Sequence, residues 1–283
     1  KLKLILKVKN KKKKTKKMSN NNVNEKYQKM DPVEHVLKLP DTYVGSTEKH
    51  TEIIDVIVEE QNNEGNIKKI IRKKRITFVP ALYKIFDEIL ANAEDQDTRL
   101  KMDKIALLKK KSKKKKSPGI ELVTTIKINI NKETGEISVL NDGDGIDIVM
   151  MDEHNMYPPE LIFGCLLTST NYDDKKEKVT GGKNGYGAKL ANIFSTKFVV
   201  ETVDRIRKKH YIQTFTNNMS QKTKPTITKY TKKPYTKITF YPDFKRFGMS
   251  HLEDDIYSLF QKRAYDVAAW TDKNVKVYFN EEL

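Results

Sequence analysis

Gly181-Gly182-Lys183-Asn184-Gly185-Tyr186-Gly187-Ala188-Lys189 is the stretch whose reading decides the fold. Four glycines and a terminal lysine stand ahead of an apolar run with helical spacing. Glycine admits a positive φ and lets the backbone approach a ligand closely. Successive N–H groups then form an anion-binding nest, and a helix starting near Gly187 would add its positive end. The stretch reads as a phosphate cradle; on these residues alone a glycine-rich turn without a ligand remains the alternative. It is not a P-loop, which needs a hydroxyl directly after the lysine, because Leu190 follows Lys189. It is not a protein-kinase loop either, since the His-Arg-Asp and Asp-Phe-Gly sets are missing. A nucleotide site built on this cradle needs its base and its magnesium ligand from elsewhere.

The helix expected over 79–97 can supply both. Leu82, Ile85, Phe86, Ile89, Leu90 and Ala93 recur at helical spacing and form one apolar face, with Pro80 suited to the first turn. Glu88, Asn92, Asp95 and Gln96 form a polar stripe beside it. Glu88 can accept a proton from an attacking water, and Asn92, one turn later, can offer an amide oxygen to Mg²⁺. The plainer reading is a solvated helix face. A carboxylate bordering a packed stripe instead suggests the wall of a cleft.

A third part is Asn141-Asp142-Gly143-Asp144-Gly145-Ile146, into which a strand at 136–140 runs directly. A strand ending in a glycine-rich loop is a common ligand position. Asn141 has an amide that can meet a base edge, and Gly143 and Gly145 would leave room for a flat ring. The same residues also make an ordinary β-turn.

The formal charge is +17 over 283 residues. Residues 1–17 carry ten lysines and residues 109–116 carry seven, neither with an acid, so the rest of the chain is formally neutral. The basicity therefore belongs to two appendages rather than to a folded surface. They read as low-complexity segments, as weak salt-sensitive nucleic-acid contacts or as nuclear import signals. Residues 1–25 are expected to be a disordered basic segment, with Met18 as an alternative start, and 109–119 a lysine-rich insertion. Cys165, the single cysteine, excludes a disulfide framework and reads as a buried spectator. The five histidines lack metal-ligand spacing, and no apolar run reaches membrane-spanning length.

Short helices are expected at 27–39, 159–167, 188–194 and 252–268. Strands are expected at 53–60, 66–72, 121–130, 136–140, 198–203, 209–216, 226–230, 236–241 and 274–279. Strands and helices mix without strict alternation, which points to an α+β layered fold with helices on one large mixed sheet.

Glu-x-x-x-Asn on a helix, Asn-x-Gly-x-Gly after a strand and then a long loop ending in a glycine cradle resemble the Bergerat, or GHKL, ATP-binding fold. Further stretches resemble eukaryotic-type type IIA topoisomerases. They are Leu39-Pro40-Asp41-Thr42-Tyr43-Val44-Gly45-Ser46, Lys84-Ile85-Phe86-Asp87-Glu88-Ile89-Leu90, Ile162-Phe163-Gly164, Leu167-Thr168-Ser169-Thr170-Asn171-Tyr172-Asp173-Asp174 and Phe247-Gly248-Met249. The resemblance spans nearly all of 26–283 in order and identifies this region as similar to the family's N-terminal ATPase domain. It implies ATP and Mg²⁺ as cofactors, with Glu88 activating the hydrolytic water, Asn92 holding Mg²⁺ and Asn141 meeting the adenine. Ser169, Thr170 and Asn171 would contact ribose and phosphates, Gly182, Lys183, Asn184, Gly185, Tyr186, Gly187 and Ala188 would wrap the triphosphate, and Lys189 would supply positive charge. Tyr43 would reach toward a partner subunit's nucleotide.

Two positions depart from the family pattern. Gln96 replaces asparagine, leaving a ribose contact open. Asp144 replaces lysine, which should place negative charge beside the nucleotide and lower affinity slightly. The resemblance further implies double-stranded DNA as substrate of the whole enzyme, an ATP-promoted homodimer, a lid at 168–178, no membrane and a nuclear location. The family's next domain, the transducer, would carry a Gln-Thr-Lys loop to the γ-phosphate and is expected to lie beyond Leu283. ATP would then be bound but poorly hydrolysed by this part alone. Another GHKL ATPase, of chaperone or MutL-like type, shares the Glu/Asn pair but not the Thr-Tyr-Val-Gly-Ser or Tyr-Asp-Asp segments; a basic DNA-binding module is the remaining alternative.

Overall fold

The structure, a computed structural model, describes residues 30–61, 65–109, 119–166 and 185–283. The expectations for 1–25, for the lid and for all but the ends of the lysine-rich insertion lie outside these residues.

The chain opens with helix α1 (Pro32–Lys38), capped by the Asp31 carboxylate, which accepts from the Val33 and Glu34 N–H groups, and with proline in its first turn. A short 3-10 turn, Pro40–Thr42, follows. Strands β1 (His50–Gln61) and β2 (Ile67–Phe78) pair antiparallel as a separate two-stranded sheet. β1 begins three residues before and ends one after the expected 53–60, and β2 runs six residues past the expected end at 72. The added length includes Lys73, Lys74 and Arg75, which are exposed and carry no apolar signal. Helix α2 (Pro80–Lys109) likewise runs three turns past the expected end at 97. Its buried face ends at Leu100, while Met102, Ile105 and Leu108 are exposed. Periodicity had therefore marked the packed part of the helix rather than its whole length.

The main sheet comprises β3 (Thr125–Asn131), β4 (Glu136–Asp142), β5 (Ser195–Asp204), β6 (Lys209–Thr216), β7 (Gln221–Lys222), β8 (Thr226–Lys229), β9 (Tyr235–Pro242) and β10 (Lys276–Phe279). The strand order is β10-β3-β4-β9-β5-β6-β7, with β8 also on β6. β10 pairs parallel to β3 and the other pairings are antiparallel, so the sheet is mixed, as expected. The remaining α-helices among the described residues are α3 (Pro158–Gly164), α4 (Gly187–Ile193) and α5 (Asp254–Trp270).

Register explains the core. Ile137 pairs with Phe240 and Phe240 with Phe198, while Val139 pairs with Ile238 and Ile238 with Val200. Because side chains alternate along a strand, these rows share one face with Ile126, Ile128 and Ile130. Leu82, Ile85, Phe86, Ile89 and Leu90 of α2, with Ile256 and Phe260 of α5, join them in a single apolar cluster. Phe86 and Phe260 stack with centroids 4.1 Å apart, worth about 1 kcal/mol beyond the area they bury. Among the described residues no helix is long and apolar enough to cross a membrane.

Candidate nucleotide site

Asn141 continues the inward-facing row Ile137, Val139, so the strand's own alternation turns a polar side chain toward the helix layer. It is buried, and its Nδ2 donates to Asp142 O at 3.0 Å. Its row neighbours across the sheet are Thr236 and Thr202, whose hydroxyls lie 2.9 Å apart, so the apolar face ends here in a polar strip. Asp142 secures the strand end. Its carboxylate accepts from Thr124 N at 2.6 Å, Thr125 N at 2.9 Å, Thr124 Oγ1 at 2.7 Å and Lys233 Nζ at 2.5 Å. Burial pushes this carboxyl upward, but the Lys233 and Thr124 bonds outweigh it and hold it below the usual carboxylate range.

The two glycines of this loop serve a different purpose from the one expected. A Cβ at Gly143, where φ is +91°, would lie 2.9 Å from Val123 N, and one at Gly145 would lie 2.5 Å from Val203 O. They admit neighbouring backbone rather than leaving room for a ring. The expected charge of Asp144 is also corrected. Its carboxylate accepts from Arg205 Nε at 2.7 Å and Nη2 at 3.1 Å, so the pair is neutral as a unit.

Helix α2 carries the acids of the site, and its partners sort them. Arg263 of α5 donates from Nε to Asp87 at 2.7 Å and from Nη2 to Glu94 at 2.8 Å, committing both carboxylates to the joint between two helices. Asp97 takes Lys101 at 2.7 Å. Glu88 lies apart from these. It is half-buried, Lys84 reaches one carboxylate oxygen at 2.5 Å, and the other oxygen fills the place where a side chain on Gly187 would stand. Asn92, one turn on, is exposed, and its side chain makes no hydrogen bond among the described residues. Gln96 donates from Nε2 to Asp144 O at 2.6 Å and accepts from Arg99. Gln96 thus ties α2 to the Asn141 loop, an interaction the sequence did not suggest.

Of the cradle, Gly185 to Lys189 are described. Gly185 has φ +67°, the conformation expected of a nest, and α4 begins at Gly187 as expected. Tyr186 is half-buried and Ala188 is buried. Lys189 is buried and donates to Gly185 O at 2.6 Å, folding back beneath its own loop. Burial lowers its ammonium to about 8. Tyr43 shares a hydrogen bond of 2.9 Å with His35 Nδ1, and its ring lies 5.9 Å from that of Tyr186, on the same chain's cradle. Ser169, Thr170, Asn171, Gly182, Lys183 and Asn184 lie outside the described residues. Cys165 is half-buried with its thiol pushed up by burial, in keeping with a spectator.

No protein-family model matches the chain. A DNA topoisomerase 2 of Acanthamoeba polyphaga mimivirus is 48% identical over 260 residues, 92% of this chain and 19% of that protein. One of Plasmodium falciparum is 46% identical over 261 residues, 92% of this chain and 17% of that protein. The chain thus spans about a fifth of the length of these curated relatives. Among solved structures, the ATPase region of Saccharomyces cerevisiae topoisomerase II superposes with a TM-score of 0.77 at 43% identity, covering 92% of this chain and 62% of that one. The ATPase domain of Thermus thermophilus gyrase B, at 21% identity and a TM-score of 0.54, shares the fold alone, which is the GHKL fold. Over 92% of its length, and in its fold, the chain is similar to the ATPase region of DNA topoisomerase II.

Proposed function

We propose that this chain binds and hydrolyses ATP as the nucleotide-binding part of a type IIA DNA topoisomerase. The observation that carries the reading is the packing of the Glu88 carboxylate against Gly187, which sets an acid with no helix-joining role beside the cradle. ATP would lie between the cradle and α2, with its base toward Asn141. Glu88, held by Lys84, takes the proton of the attacking water; a positioned base typically contributes ~10²–10⁴-fold. Lys189 and the loop N–H groups supply charge and hydrogen bonds to the phosphates, where positioning and neutralisation do most of the work. Ser169, Thr170 and Asn171 complete the ribose and phosphate contacts.

Mg²⁺ suits the donors present. Among the described residues no three His, Cys, Asp or Glu gather into a cage. One amide oxygen from Asn92, with phosphate oxygens and waters, is coordination that Mg²⁺ accepts. Bound there, the ion would offset phosphate charge.

In the longer enzyme, ATP binding would close two copies as a dimer around double-stranded DNA, and hydrolysis would release it. Tyr43 would then exchange its His35 contact for the partner subunit's nucleotide. In that longer enzyme the lysine of a transducer domain would complete the γ-phosphate site. A nuclear location fits the eukaryotic-type likeness and the lysine runs.

The test is Glu88→Gln in a chain extended through the next domain. ATP-analogue affinity should stay within about twofold while hydrolysis falls at least ~10²-fold. Hydrolysis surviving within a factor of a few would assign the base elsewhere.

A further inference from the structure

Every polar group of Asp144 is engaged. Its N–H donates to Glu121 O at 2.9 Å, and its carbonyl accepts from Gln96 at 2.6 Å. Its carboxylate accepts from Glu121 N at 3.1 Å and from both Nε and Nη2 of Arg205. Arg205 also donates to Gly119 O. Arg205 follows the last residue of β5, so a side chain from the β5–β6 turn grips the loop that follows β4. The pair is about three-quarters shielded from solvent, at 28% and 22% side-chain exposure, so its two-point bond is weakly screened. On either side Gly143 and Gly145 abut backbone, and Ile146 N donates to Thr202 Oγ1 at 3.1 Å. The loop therefore has little room to shift except through Asp144. Gln96 stands on α2 two turns beyond Glu88, so Asp144 is also where that helix and the Asn141 loop are joined.

We infer that Asp144 and Arg205 are positioning residues for the nucleotide's base: their ion pair fixes Asn141 relative to the helix that carries Glu88, and so sets adenine selectivity. The inference rests on the ATP reading above. Neither residue needs to touch the nucleotide. Losing a charge-assisted bond of this kind should have roughly a tenfold effect where it is transmitted to the base contact.

The test compares dissociation constants for ATP and GTP, both with Mg²⁺, for the full chain, Arg205→Ala and Arg205→Lys, with thermal unfolding followed in parallel. The wild-type preference for ATP should fall about tenfold in Arg205→Ala, through weaker ATP binding with GTP nearly unchanged. Arg205→Lys, which keeps the charge and loses the fork, should recover part of the preference. An unchanged ATP-to-GTP ratio in Arg205→Ala would overturn the inference, whether or not both affinities drop with a lower melting temperature. Failure of the wild-type chain to bind ATP would instead overturn the underlying reading, and this inference with it.

Discussion

At the scale of single residues, chemistry follows from which neighbour a side chain has already accepted. Asp87, Glu88 and Glu94 are three acids within two turns of α2, and sequence spacing alone placed only Glu88 on the polar stripe. The structure gives the reason, since Arg263 takes the other two. Lys189 yields the clearest pH dependence. Its ammonium falls to about 8 in the folded chain, from an ordinary 10.5, because it is buried. The unfolded chain binds the extra proton between about pH 8 and 10.5, so this residue's share of stability rises as pH climbs through that window. Affinity for an anionic ligand should run the other way, because the phosphates attract the ammonium and not the amine. ATP-analogue binding should therefore weaken above about pH 8 in the wild type. In Lys189→Met it should be weaker throughout and flat with pH; titrations from about pH 7 to 9.5 would show this, and a wild-type profile as flat as the variant's would exclude Lys189 as the phosphate cation.

At the scale of elements, α2 bears on both the core and the site. One face packs on the sheet, and Arg263 clamps another edge to α5. Replacing Arg263 with methionine would leave two carboxylates three-quarters shielded and without their cation. Loss of a fully buried partner costs about 3–5 kcal/mol, and partial exposure here reduces the expectation to about 2 kcal/mol in urea unfolding. A loss below about 0.5 kcal/mol would make the clamp an ordinary surface pair. The packed elements were legible in the sequence because burial imposes a period: β3, β4, β6, β9, α4 and α5 lie within a few residues of expectation. The exposed continuation of α2 was not, because no period is imposed where nothing packs, and in β2 the run 72–75 hid the buried Ile76 beyond it. The Asn141 and Glu88 motifs were legible as local patterns. The Gln96–Asp144–Arg205 chain was not, since successive members sit 48 and 61 residues apart and only the fold brings them together.

At the scale of the whole molecule, charge and fold separate. The two lysine runs account for the entire net charge of +17, and neither contributes a residue to the candidate site. Deleting 1–17 and 109–116 should lower duplex-DNA binding and flatten its salt dependence, with ATP-analogue affinity held within about twofold. Anisotropy titrations across salt would register both, and undiminished DNA binding would place the polyanion surface on the folded body. The sheet carries one more consequence. β3 has β4 on one side and β10 on the other, and Thr125 pairs with Lys276, so one of its borders is completed by residues made some 150 positions later. During synthesis Ile126 and Ile128 emerge long before that partner, on a strand still open along one edge. Such late, distant pairings slow folding and leave strand edges open to the wrong neighbour. The Asn141 end of β4 is hydrogen-bonded to this same strand, so on the ribosome the cradle and the Glu88 helix would both emerge before the border of the sheet beneath them is closed.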